Sequence, residues 1–197
     1  DLVFQLDSLL SQTSVQYLFC SKTFEVKNEY QEISYYQASF GKDQERVSAI
    51  FENLATSSRS NHLQHTVHGL PLNTVLNAVC HSNCVALVLI DNGILRRKTN
   101  AHQELAGGMT CPYVGHYVIL CGITRDPGHL KAAIEFDNSK NDELAQCKPS
   151  DVEFCIVLCD PGQGNPALSF VTPDRFDRSR RAKGTDEDII FFAKYCL

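Results

Sequence analysis

Four short apolar runs constrain this chain more than any other feature: Cys84–Ile90, Tyr117–Cys121, Phe154–Cys159 and Ile189–Phe192. Each has the length of a strand, and none approaches the ~20 residues that a membrane span requires. The first is apolar throughout and is followed at once by Asp91-Asn92-Gly93, a strong turn signal, so it reads as a central strand. Ser14–Cys20 is rich in β-branched and aromatic residues and reads as a further strand, while Leu63, His65 and Val67 alternate as in a short half-buried one.

Helical spacing alternates with these runs. Leu2, Leu6, Leu9 and Leu10 share one face near the start of the chain. Asp43 can cap an amphipathic helix through Val47, Ile50, Phe51 and Leu54, ended by the polar stretch Ser57–Asn61. Leu72, Val75, Leu76 and Val79 repeat the pattern, and a short helix is expected around Arg175–Arg181. Tyr30–Phe40 and Arg96–Cys111 read as irregular segments. Asp126–Ser150 reads as a polar insertion with one apolar patch at Ala132–Phe136. With helices early, strands dominating the second half and Ile189–Phe192 closing the sheet, the layout is α+β with a mainly antiparallel sheet.

Composition narrows the function classes. A length of 197 residues suits a single domain with a real core. The net charge of −5 argues against a nucleic-acid binder, and no membrane partner is expected. Nine cysteines is an odd number, which excludes complete pairing within one chain; Asn53-Leu54-Ala55 and Asn73-Thr74-Val75 both fail as glycosylation sequons. The thiols therefore read as small apolar residues in a reducing compartment, cytoplasm or nucleus.

The chemistry centres on two positions. Gly115-His116-Tyr117 opens the second apolar run, and Asp160 follows the third, fixed by Pro161. If those strands pair, Asp160 lies near His116 and can hold one ring nitrogen, set the tautomer and support the imidazolium. That is the base-and-orienter half of a nucleophilic site; a strand-end histidine bonded to any convenient acceptor is the plainer alternative. Asp186-Glu187-Asp188 could hold a metal ion but is expected to be a solvated turn. Arg175, Arg178, Arg180 and Arg181 could meet phosphates but are expected to face water, and Gly162-Gln163-Gly164 is too weak for a phosphate cradle. Cys80-His81-x-x-Cys84 and Cys155-x-x-x-Cys159 lack the spacing of a structural zinc knuckle and read as core thiols; His62, His65 and His68 read as an exposed strand edge.

Gly115-His116-Tyr117-Val118-Ile119-Leu120-Cys121-Gly122, Asp160-Pro161 and Gly184-Thr185-Asp186-Glu187-Asp188-Ile189 together resemble the guanylyl cyclase domain-containing protein family of plants and animals. Val85–Ile90 and the Val47–Leu54 helix fit that family's order as well. The resemblance implies a papain-like fold related to bacteriocin-processing cysteine peptidases, with helices packed on the sheet. It also implies a Cys-His-Asp triad in which His116 is the histidine and Asp160 the third member, with Asp137-Asn138 as a weaker rival. The family's Trp-Asp-Cys-Gly-Leu-Ala-Cys segment is absent, so the nucleophile is expected upstream of Asp1, and the chain is expected to be an N-terminally truncated, inactive piece of the domain. Cys20 is no substitute, since it falls in a strand. On this reading no cofactor is needed and the partner is a protein or peptide, which a non-catalytic binding module would also take. The family name implies another chemistry, cyclisation of GTP, with Mg²⁺ or Mn²⁺.

Overall fold

The computed structural model describes residues 10, 13, 15–24, 40–56, 63–81, 84–96, 113–138, 149–162 and 168–194. Leu2, Leu6 and Leu9 of the expected first helix, residues 30–39, and the 97–111 segment lie outside them. The strands are β1 (Val15–Ser21), β2 (Leu63–His65), β3 (Cys84–Asp91), β4 (Gly115–Thr124), β5 (Cys155–Cys159), β6 (Leu168–Val171) and β7 (Ile189–Lys194). The helices are α1 (Phe40–Thr56), α2 (Leu72–His81), α3 (Asn92–Arg96), α4 (Pro127–Asn138) and α5 (Pro173–Arg180). The strands form one sheet in the order β2-β1-β7-β3-β4-β5-β6. Only β1 and β2 run parallel; the other neighbours are antiparallel, so the class is α+β with a mainly antiparallel sheet. No helix among the described residues is long and apolar enough to cross a membrane.

Period-two alternation gives the sheet two apolar faces. Ala86, Val88 and Ile90 of β3, Val118 and Leu120 of β4, Ile156 and Leu158 of β5 and Ile189 of β7 point to one side. There they meet Val75, Leu76 and Val79 of α2, Leu95 of α3 and Phe176 of α5. Tyr17, Phe19 and Ile190 point to the other side, against Ile50 and Phe51 of α1. Each large aliphatic side chain withdrawn this fully contributes about 1.5–3 kcal/mol.

Two sequence expectations need correction. Ile189–Phe192 does not close the sheet at an edge; β7 lies between β1 and β3, because Ile189 and Ile190 are both buried, on opposite faces, and need cover on both sides. Asp91-Asn92-Gly93 starts a helix instead of a tight turn: Asp91 Oδ1 accepts the Gly93 N–H at 2.8 Å and thereby satisfies a first-turn donor of α3. The segment read as a polar insertion carries α4, whose Ala133 and Ile134 are buried in the packing on β5 and β6.

The arginines of α5 also depart from expectation. Arg175 and Arg180 are buried, and only Arg178 and Arg181 keep the water-facing role. Thr172 caps the helix, accepting the Arg175 N–H, and its hydroxyl donates to buried Asp137 of α4. Arg175 pairs with Asp137 and donates to the Ile94 and Leu95 carbonyls at 3.2 and 3.4 Å. Arg180 pairs with Asp177 and donates to the Leu70 carbonyl at 2.9 Å. Their guanidinium forks tie α5 to α3, α4 and the entry of α2, and burial is tolerable because each charge is paired and bonded.

Candidate active site

The pairing of β4 with β5 builds the site. Ile119 stands opposite Cys159, so the same register carried outward sets Gly162 level with His116 and Asp160 one diagonal away. Asp160 Oδ1 lies 2.7 Å from His116 Nε2 and accepts the Gly162 N–H at 2.8 Å. Its Oδ2 is paired with the Arg96 guanidinium at the end of α3. Asp160 is buried, whereas the His116 side chain keeps 28% of its surface open. The carboxylate is thus a fixed base plate and the imidazole the part that meets solvent.

Burial alone would raise the Asp160 pKa. The hydrogen bonds from His116 and Gly162, with the charges of His116 and Arg96, outweigh it and hold the carboxyl below its ordinary 3.8. Gly162 is needed for close approach: a Cβ there would come within 2.9 Å of His116 Cε1 and 3.2 Å of Asp160 Oδ1. Because Asp160 engages Nε2, the ring atom left to exchange a proton with a reactant is Nδ1.

His116 opens onto a cleft of about 700 Å³ walled by Tyr113, Tyr117, Pro161 and Gly162 and bordered by Asp186 and Asp188. The acidic turn is not simply solvated. Glu187 points away from the cleft into a cation cluster, 3.3 Å from Lys22 Nζ and 3.6 Å from both Arg180 and Arg181. Asp186 and Asp188 face the cleft, and burial, helped by the charge of Asp186 and opposed by a Ser21 hydrogen bond, pushes the Asp188 carboxyl from 3.8 up to about 7. Asp186 and Glu187 both hold positive φ, 49° and 54°, and this left-handed pair splits the three side chains between two environments.

A family model described as guanylylate cyclase matches residues 2–192. The chain belongs to this guanylyl cyclase domain-containing family. No solved structure matches it. Two residues expected from sequence, His116 and Asp160, are brought into direct contact in this family member. Asp137, the rival third member, is committed to Arg175 and Thr172 in the α4–α5 packing. Arg96 was not foreseen: it stands 64 positions from Asp160, at the edge of a segment that read as loop. Among the described cysteines none lines the cleft, and burial pushes the thiols of Cys20 (to about 11), Cys84 and Cys155 up. Cys80 is exposed on α2 while Cys84 is buried in β3, and the described residues contain no cluster of three metal-ligating side chains.

Proposed function

We propose that the cleft is the active site of a thiol-dependent hydrolase of peptidase type, on a papain-like scaffold formed by one domain. The reading rests on one observation, the His116 Nε2–Asp160 Oδ1 contact of 2.7 Å, buttressed by the Gly162 N–H and opening on a cleft. His116 Nδ1 takes the proton of an attacking thiol, whose sulfur bonds to the substrate carbonyl carbon. The protonated ring then gives that proton to the leaving nitrogen as the C–N bond breaks, leaving a thioester. Water adds to the thioester with His116 again as base, releasing the acid and restoring the thiol. Asp160 fixes the ring and offsets the imidazolium charge throughout. No described cysteine lines the cleft, so the attacking thiol is assigned to a cysteine outside the described residues. The test is a thiol-directed activity probe on the full-length protein: His116→Ala and Asp160→Ala should both abolish labelling, and unchanged labelling in both would sink the proposal.

The family description favours a second reading, cyclisation of GTP. His116 could then accept the proton of the 3′-hydroxyl. The cleft lining fits a triphosphate less well: Asp186 and Asp188 are carboxylates, and the described lining includes no lysine or arginine. These two carboxylates fall short of the ligand set that a Mg²⁺ or Mn²⁺ ion needs without further donors, so no step is assigned to a metal. Purified full-length protein given GTP with Mg²⁺ or Mn²⁺ should form cyclic GMP above a boiled control if this reading holds.

A further inference from the structure

Arg96 reaches Asp160 from outside the β4–β5 pair, and the backbone that carries it is clamped at both ends. In the β3–β4 register Ile90 stands opposite His116 and Asp91 opposite Gly115, so α3 leaves the sheet beside the histidine. Its start is pinned there: the Asn92 N–H donates to the Val114 carbonyl at 2.8 Å, and Asp91 Oδ1 accepts the Gly93 N–H. Its last turn is pinned from α5, where buried Arg175 donates to the Ile94 and Leu95 carbonyls, and the Leu95 side chain is sunk in the core. A helix this short rises about 7 Å. That single turn carries Arg96 from beside β4 to the end of β5, where its guanidinium pairs with Asp160 Oδ2.

The other oxygen of that carboxylate meets His116 Nε2 and the Gly162 N–H, so the two oxygens are held by different partners. A carboxylate held at one oxygen turns readily about its Cβ–Cγ bond, a broad and soft torsion. Held at both, it keeps its lone pairs aimed at one donor. We propose that Arg96 is a positioning residue of the reaction: by anchoring Asp160 Oδ2 it keeps Oδ1 on His116 Nε2, the proton on that nitrogen, and the Nδ1 lone pair turned to the cleft. The inference rests on the hydrolase reading for its meaning and deepens it, extending the orienting chain from Asp160 to α3. Arg96 lies outside the described lining of the cleft, so it acts on the reactants only through Asp160 and His116. It borders instead a second cavity of about 340 Å³, with Leu95, Phe136 and Phe170, and keeps 35% of its side-chain surface open, so the position can be reached from solvent. Without the guanidinium the ring stays in the site but its tautomer and tilt drift, and a misplacement of about 1 Å can slow a reaction by about a hundredfold.

Two measurements on the full-length protein test this. Nitrogen-15 NMR at about pH 9, well above the ordinary histidine value, should show His116 as a single Nε2–H tautomer, its signals assigned by their loss in His116→Ala. In Arg96→Gln the two tautomers should mix, while Arg96→Lys, which keeps a cation beside Asp160, should retain the Nε2–H form. Labelling by a thiol-directed activity probe should be at least about tenfold slower in Arg96→Gln. In Arg96→Ala, millimolar ethylguanidinium should enter from the second cavity and restore the rate, and tetramethylammonium at equal concentration should not. This rescue also guards against misfolding of the first variant. If Arg96 were only a latch between α3 and β5, the urea midpoint would fall while the tautomer and the labelling rate of folded protein stayed as in the wild type; that result overturns the proposal. So does equal rescue by both cations, which would report ionic strength alone. Loss of labelling in His116→Ala with an unaltered tautomer in Arg96→Gln removes this inference and keeps the hydrolase reading. Unchanged labelling in His116→Ala with mixed tautomers in Arg96→Gln removes the hydrolase reading and keeps Arg96 as the group that orients Asp160 and His116.

Discussion

Replacing Asp188 by asparagine should stabilise the protein, and only at higher pH. Burial and the neighbouring charge of Asp186 raise the carboxyl from 3.8 to about 7, despite a Ser21 hydrogen bond. The folded state therefore binds the proton more tightly than the unfolded chain, so this group's contribution is fully favourable below about pH 4 and is lost as pH rises through 7. Each tenfold difference in proton affinity is worth about 1.4 kcal/mol, which sets a ceiling of about 4 kcal/mol on the cost of ionising Asp188. Water at the cleft surface reduces this, and ~2 kcal/mol is the working figure. Asparagine keeps the shape and never ionises. Urea unfolding at pH 4 and pH 8 measures the difference: Asp188→Asn should match the wild type at pH 4 and exceed it by ~2 kcal/mol at pH 8. Equal effects at the two pH values, or destabilisation at pH 8, would refute the argument that the carboxyl is held against ionisation. Asp160 runs the other way: its lowered pKa means that its pairing supports the fold above 3.8 and fades as pH falls through the lower folded value.

Other perturbations follow from single contacts. Gly162→Ala should push the His116 ring off Asp160, since the new methyl would sit 2.9 Å from Cε1; activity-probe labelling of the full-length protein should fall while urea stability changes by less than about 1 kcal/mol, and unaltered labelling would contradict it. Arg175→Met should cost roughly 3–5 kcal/mol by stranding Asp137, and adding Asp137→Leu should recover most of it in a double-mutant cycle; additive losses would show that the pair is not a unit.

The chain disclosed its fold wherever apolar side chains filled whole strands. Cys84–Ile90 and Tyr117–Cys121 are apolar at every position, with Ala86, Val88, Ile90, Val118 and Leu120 fully buried on one face and the alternate positions only partly covered, so β3 and β4 are legible as unbroken runs. β6 was missed because Leu168-Ser169-Phe170-Val171 is four residues at the sheet edge, with Leu168 exposed. The order of strands was not legible either, since pairing β7 between β1 and β3 depends on contacts more than a hundred residues apart. His116 and Asp160 could be linked from sequence because both flank buried strands and antiparallel pairing brings such ends together. Arg96 could not, since its partner is set by the turn of α3. Arg175 and Arg180 misled for a related reason: a charged side chain is exposed by default, and the partners that permit burial lie on other elements.

The central claim is that Asp160 makes His116 an effective base for a thiol in the cleft. The most direct measurement is the second-order rate of alkylation of the full-length protein by a chloroacetamide across pH 5–9, in the wild type and in Asp160→Asn. The account predicts rapid reaction of one thiol well below the ordinary thiol pKa of about 8.5, and at least a tenfold loss with a shift to higher pH in the variant. Superimposable rate profiles for the two proteins would contradict it.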